Sequence, residues 1–253
     1  MYTDEEFEKL EQEEREIIDE SLAAILLILA NTKGNIEKEL REFYSKYGQD
    51  GVVTYNEARK WISEQDHRRR LTALLAFLTL QFDSALVNIK KEFEKMLKLV
   101  IGKETGFFNV EIDMDAVLEM VWGADELNWL KRLENDVDLW KVNISTDWKR
   151  SLLQRKQFKD VLKLLNKRFT TIDSIVQTLG LTESTAVGSL ARRKIFAELG
   201  ITKYRFYTKP DERRCETCGA MHGLVFPISA YEVGVTASPM HPRCRCWEVP
   251  IVD

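Results

Sequence analysis

"LTALLAFLTLQFDSALVNIKKEFEKMLKLV", residues 71–100, decides the fold class. Leu75, Leu78, Phe82, Leu86, Ile89, Phe93, Leu97 and Val100 recur at steps of three or four, the period that lines one face of a helix rather than alternate positions of a strand. A helix of about thirty residues is roughly 45 Å long and needs partners along its whole apolar stripe. Those partners are readable on both sides. Residues 5–30 read as a helix with Asp4 as candidate N-cap, "NTKGN" (31–35) ends it with turn formers, and a second helix covers 35–47 before "GQDG". Further on, "GKETGFFNVEID" (102–113) interrupts the pattern, and 113–133 and 147–168 again read as amphipathic helices. Trp122, Trp129, Trp140 and Trp148 fall in this part and are read as core or interface anchors rather than a ligand-stacking surface.

The bulk numbers agree with a water-soluble helical protein. The 253 residues are 44% apolar, enough for a sizeable core. A net charge of −4 hides a polarised chain: ten of the first 20 residues are Asp or Glu, against Lys9 and Arg15, whereas Arg68, Arg69 and Arg70 form a basic run. Overall charge therefore predicts no affinity for nucleic acid, and any such contact is local. "SLAAILLILA" (21–30) follows an acidic segment and is well short of the ~20 residues that span a bilayer. It reads as a buried helix stretch, with no membrane segment and a cytosolic setting.

The character changes after residue 202. "YRFYTK" (204–209) and "HGLVFPI" (222–228) read as short strands, and every proline and cysteine lies beyond residue 209. "CETCG" places Cys215 and Cys218 three apart, close enough for both sulfurs to reach one ion, with Gly219 read as the turn residue. "MHPRCRCW" (240–247) supplies Cys244, Cys246 and His241. The expected site is Zn²⁺ held by Cys215, Cys218, Cys244 and Cys246, with His241 as the alternative ligand and His222 more distant. Disulfides and a CxxC redox pair are the competing chemistries, although the βαβ setting of the latter is missing. A tail of this size buries too little apolar surface to fold alone, and a structural zinc contributes an apparent ~10–16 kcal/mol. Stripping the metal is expected to melt 209–253 and leave the helices largely intact.

No phosphate-binding loop, dinucleotide fingerprint, nucleophile elbow, HExxH or deaminase signature occurs, so no catalytic residue and no small-molecule substrate is assigned. "TTIDSIVQTLGLTESTAVGSLARRKI" (170–195) offers a helix-turn-helix with Gly180 at the turn, but Ala186 and Ser189 sit where a reading helix buries larger groups.

The arrangement "DERRCETCGAMHGLVFPI" (211–228) followed by "SPMHPRCRCWEVPI" (238–251) resembles the C-terminal end of the phage head morphogenesis family, the Mu F-like minor head proteins of tailed phages and prophages. The family pattern falls on Asp211, Arg213 or Arg214, Cys215, Cys218, Gly223, His241, Pro242, Cys244, Arg245 and Cys246. The doubled arginine leaves one residue of ambiguity in the D-x-R-x-C element. The likeness is strong over the last fifty or so residues, looser back to about residue 110, and absent before that. It implies a minor component of the virion, associated with the portal and other head proteins, incorporated in the host cytoplasm during procapsid assembly, and influencing DNA packaging or ejection. Packaged DNA is a further candidate contact, through Arg243 and Arg245. The rivals are a zinc-containing nucleic-acid-binding protein using 170–195, and a zinc-dependent nuclease or toxin-like enzyme using His241. The expected architecture is mainly α: an elongated helical body, divided into 1–105 and 106–202, with a small zinc-stabilised α+β module at 203–253.

Overall fold

The computed structural model describes residues 3–54, 56–57, 60, 64–209 and 211–252. It is mainly helical, with a small three-stranded sheet near the C-terminus. The helices are α1 (Asp4–Tyr47), α2 (Gln65–Phe108), α3 (Met114–Leu118), α4 (Trp129–Leu153), α5 (Phe158–Glu198) and α6 (Glu216–Met221). The strands are β1 (Lys203–Thr208), β2 (Val225–Pro227) and β3 (Cys246–Ile251).

Where two helices were expected in the first 47 residues there is one. Ile25, Leu29, Ile36 and Leu40 are 0–2% exposed and continue one buried stripe across "NTKGN". The Thr32 hydroxyl returns to the Ile28 carbonyl (2.9 Å), and Gly34 faces open space. Burial on both sides outweighs the weak local propensity. The N-terminus is closed by Thr3 rather than by Asp4. The Glu6 amide donates to Thr3 Oγ1 (3.2 Å) and the Thr3 amide to Glu6 Oε2 (2.7 Å), a capping box. The side chain of Asp4 lies outside the described residues.

Helix α2 carries the expected stripe, with Leu78, Phe82, Ile89, Phe93, Leu97 and Val100 at 0–1% exposed. Leu74 and Ala85 are buried in place of Leu75 and Leu86, a one-residue drift along the face. The helix ends inside "GKETGFFNVEID" but late, at Phe108. Asn109 takes a left-handed conformation (φ 52°) and the Val110 amide returns to the Thr105 carbonyl (3.0 Å). By length and composition alone α2 could cross a bilayer. The same test is passed by core helices of water-soluble proteins, and 28% of the apolar window of α2 is buried.

Two expected helices are corrected. In place of 113–133 stands the short α3, capped by Asp113 on the Ala116 amide (3.0 Å), then a turn-rich segment with Gly123 and Glu126 at positive φ. Arg132 fixes that segment by donating to the Trp122 carbonyl (2.6 Å), Asp125 and Glu183. Helix 147–168 is split at Arg155 (φ 55°), where the Lys156 amide returns to the Ser151 carbonyl (3.0 Å) and closes α4.

The helix-turn-helix reading of 170–195 is also corrected, since α5 runs through it without interruption. A Cβ at Gly180 would lie 2.6 Å from Leu22 Cδ2, so the glycine serves close approach of α1 to α5 and makes no turn. Ala186, Ser189 and Ala191 are 0% exposed. Their small size, which spoiled the DNA-reading pattern, lets neighbouring segments approach this stretch of α5.

The chain forms two compact units. The first comprises Met1–Ala23, Lys91–Arg132 and Val176–Asp253. Its sheet is antiparallel in the order β2-β1-β3, with Tyr204 opposite both Phe226 and Pro250, and Thr208 opposite Cys246. Tyr204, Phe206 and Thr208 point into the unit, as the alternation of "YRFYTK" requires. Strand β3 is buried nearly throughout. Trp129 stacks on Phe93 (6.2 Å between centroids), and Trp122 lies half-buried beneath Arg132 with its Nε1 donating to Glu183 (2.9 Å). The second unit comprises Ala24–Lys90 and Leu133–Ile175. Phe82 stacks on Phe169 (6.0 Å), and Trp148 meets Phe43 edge-on (5.3 Å). Trp129, Trp140 and Trp148 are 2–5% exposed, so the anchor reading holds for them.

Candidate metal centre

Each cysteine is placed by a different backbone device. Cys215 is the N-cap of α6, and its Sγ accepts from the Cys218 amide (3.3 Å). One helical turn thus brings two sulfurs of "CETCG" to the same side. Gly219 is inside that helix, not at a turn; the glycine with left-handed geometry is Gly223 (φ 82°), whose amide donates to the Phe206 carbonyl (2.8 Å). Cys244 follows a tight turn in which Arg243 has φ 60° and the Cys244 amide returns to the His241 carbonyl (3.1 Å). Cys246 opens β3 and is fixed by its pairing with Thr208.

These devices bring together the donors singled out in the sequence. Cys215, Cys218 and His241 form one group, and Cys218, Cys244 and Cys246 another, each with its donor atoms within 4.8 Å of one another. Cys218 is the shared corner: its Sγ lies 3.8 Å from Cys244 Sγ and 3.4 Å from His241 Nε2. Tetrahedral coordination with bonds of ~2.3 Å to sulfur and ~2.0 Å to nitrogen separates two sulfurs by about 3.8 Å, and a sulfur from a nitrogen by about 3.5 Å. Both distances fit. His241 Nδ1 meets the Pro242 carbonyl (2.9 Å), and donating there leaves the Nε2 lone pair directed at Cys218. His222 lies outside both groups; its Nδ1 accepts from the Thr208 amide (3.2 Å) and its ring meets Tyr207.

The electrostatics also ask for a cation. Cys218, Cys244 and Cys246 are 2–5% exposed and pack on Phe206. The hydrogen bond from Cys246 brings the Cys244 thiol down to about 6 against its own burial. Burial, followed by the charge of Cys244, pushes Cys218 up to about 12. The hydrogen bond to Cys244, then burial, raises Cys246 far above the ordinary thiol range, whereas the Cys218 amide lowers Cys215. One thiolate in the cluster thus suppresses ionisation of its buried neighbours, and a bound cation would remove the conflict. The five side chains are close enough to hold a metal, and four soft sulfurs with one imidazole suit a thiophilic ion.

Residues 142–249, which include this cluster, match the family model described as phage Mu protein F like protein. The match supports a phage head morphogenesis family. That family is one of structural head proteins, in line with the resemblance carried by the cysteine pattern. No curated protein and no solved structure matches the chain.

Two family positions explain each other in space. Arg245 forks onto Asp211 through bonds of 2.6 and 2.7 Å, joining the start of the D-x-R-x-C element to the C-R-C element. Arg245 is therefore engaged within the protein. Arg243 is also engaged: its amide donates to Thr182 Oγ1 (3.0 Å) and its Nε to Thr178 Oγ1 (2.9 Å). Thr185 adds a bond to the Cys244 carbonyl (3.1 Å). Thr178, Thr182 and Thr185 form one hydroxyl-bearing face of α5 that seats the cysteine loop. Their spacing of four and three was visible in the sequence, but nothing there indicated what they would hold.

Proposed function

We propose that the chain is a minor head protein of a tailed phage or prophage that associates with the portal during procapsid assembly, in the host cytoplasm, and influences packaging or ejection of DNA. The single observation that carries this reading is the convergence of the CxxC pair with the HPxCRC segment inside the region that matches the Mu F-like family. In this reading the chain is a structural component, not an enzyme, and lies in the head interior or at the portal vertex. Residues 1–105 and 106–202 form the docking body, and 203–253 act as a metal-stabilised module. Leu27, Leu80 and Val87, 55–63% exposed, support a protein partner for the helices.

The ion proposed is Zn²⁺, held by Cys215, Cys218, Cys244 and Cys246, with His241 as the alternative fourth ligand. Bound there it supplies a structural crosslink. Cys215 and Cys218 would tie α6, and Cys246 would tie the start of β3, to the Cys244 loop seated on α5. The assembly role is tested by co-expressing the chain with the portal, scaffold and capsid proteins of a tailed phage that carries it and sedimenting the procapsids. The expected result is cosedimentation with heads that is lost when the portal is omitted. Cosedimentation unaffected by the portal, or a chain left wholly in the soluble fraction, contradicts the reading.

A further inference from the structure

Three carboxyl groups and one guanidinium meet inside the first unit. Glu14 on α1, Glu104 on α2, Arg192 on α5 and Glu248 on β3 are all at most 9% exposed. Their donors are shared unequally. Glu248 has Ser189 Oγ (3.1 Å), the Tyr231 hydroxyl (3.0 Å), the Ser238 amide (2.6 Å) and Arg192 Nη1 (3.2 Å) within hydrogen-bonding distance. Glu104 accepts a short bond from Arg192 Nη2. Glu14 has the same nitrogen at 4.0 Å. One oxygen on each of the last two, Glu14 Oε1 and Glu104 Oε2, meets no donor among the described residues.

The carboxyls of Glu14 and Glu104 converge on the same nitrogen, Arg192 Nη2, which makes them neighbours in the buried site. Two ionised carboxylates so placed repel, and a buried acceptor without a donor costs ~1–3 kcal/mol or more. A proton between them turns both orphaned acceptors into one hydrogen bond. We propose that Glu14 and Glu104 share a single proton, and that this proton latches the first turns of α1 onto the rest of the first unit.

The other charged groups around Glu14 are already engaged or lie to one side. On its own helix Glu13 pairs with Lys103 (2.7 Å) and Glu11 with Lys209 (3.4 Å), while Arg15 lines a cavity of about 40 Å³ beside Glu14. Arg192, Arg245, Cys244 and Cys246 line the same cavity, Arg245 being held by Asp211, and Glu248 lies across Arg192. Glu14 thus shares with Glu104 the nearer cation, Arg192, at the longer distance of 4.0 Å. Its burial, then the charge of Glu104, raises it well above the ordinary 4.5, and burial raises Glu104 against the pull of Arg192. A folded value above the unfolded one means that the latch is complete below about pH 4.5 and weakens as pH rises towards the folded value. Across that window the opening equilibrium grows about tenfold per pH unit.

Amide hydrogen exchange on the full chain, followed over Phe7–Ile18 from pH 5 to 8 and corrected for the intrinsic rate, tests this. In wild type, opening is expected to rise about tenfold per pH unit until the folded value is passed. In Glu14→Gln, which keeps an N–H donor facing Glu104 and cannot ionise, the profile should be flat and protection at pH 8 higher. The same slope in both proteins, or a flat wild-type profile, overturns the proposal. A difference infrared spectrum, folded wild type minus Glu14→Gln at about pH 6, gives a second readout: a protonated carboxyl band in the difference supports the shared proton, and its absence overturns it.

Discussion

At the scale of single residues, the C-terminal region is held by side chains that serve one another across long stretches of sequence. Asp211 is the plainest case. The hydrogen bonds from Arg245 draw its carboxyl from 3.8 down to about 2. Because the folded value is the lower one, the clamp contributes fully above about pH 4 and is lost as the pH falls towards 2. Asp211→Asn should therefore remove part of the acid sensitivity of the C-terminal region between those values, read by tryptophan fluorescence of Trp247; an unchanged acid profile would show that the clamp contributes nothing. Gly180 gives a second case. Valine there must displace Leu22, and overpacking of this kind costs about 1–3 kcal/mol in urea unfolding. Gly180→Val with unaltered stability would show that α1 has room to retreat.

At the scale of elements, what was legible in the sequence was whatever a single element decides for itself. The stripe from Leu78 to Val100 announced α2, the alternation of Tyr204, Phe206 and Thr208 announced β1, and the CxxC and HPxCRC spacings announced a cluster of donors. What could not be read depended on a distant neighbour. Gly34 and Gly180 look like stops, yet each lies within a long helix, because burial across Ile25–Leu40 in one case and contact with Leu22 in the other overrides local preference. Residues 119–128 failed to be helical because Arg132 binds them as a loop. That loop depends on Glu183, 1% exposed on α5, which accepts from Arg132 (2.9 Å) and from Trp122 Nε1 (2.9 Å). Burial raises the Glu183 carboxyl, while Arg132 opposes the shift. Glu183→Ala removes one of the two carboxylates on Arg132 and the acceptor of Trp122 Nε1, and should cost about 1–3 kcal/mol, with Glu183→Gln losing less. Equal stability of Glu183→Ala and wild type would refute the network.

At the scale of the whole molecule, the cysteine loop is seated on α5 by Thr178, Thr182 and Thr185, and β3 contributes Glu248 to a network that reaches α1 and α2. This arrangement adds to the expectation that metal loss leaves the helices largely intact. Chelation should loosen 209–252 first and then raise hydrogen exchange in Phe7–Ile18, since Cys246 and Glu248 share one strand. Exchange confined to the C-terminal residues would show that the two parts are uncoupled. The sequence disclosed the cysteines and His241 because they stand close together along the chain. It did not disclose Glu14, Glu104, Arg192 and Glu248, which are scattered across the chain and are recognisable as a group only once folded.

The central claim is that Cys215, Cys218, Cys244 and Cys246, with His241 as the alternative fourth ligand, hold one metal ion. Elemental analysis of full-length protein, purified without chelator from zinc-replete medium and compared with Cys218→Ser, tests it most directly, because Cys218 is the donor common to both groups. The account predicts one zinc per wild-type chain and none in the variant. A wild-type protein without metal, or a variant that keeps its full complement, contradicts it.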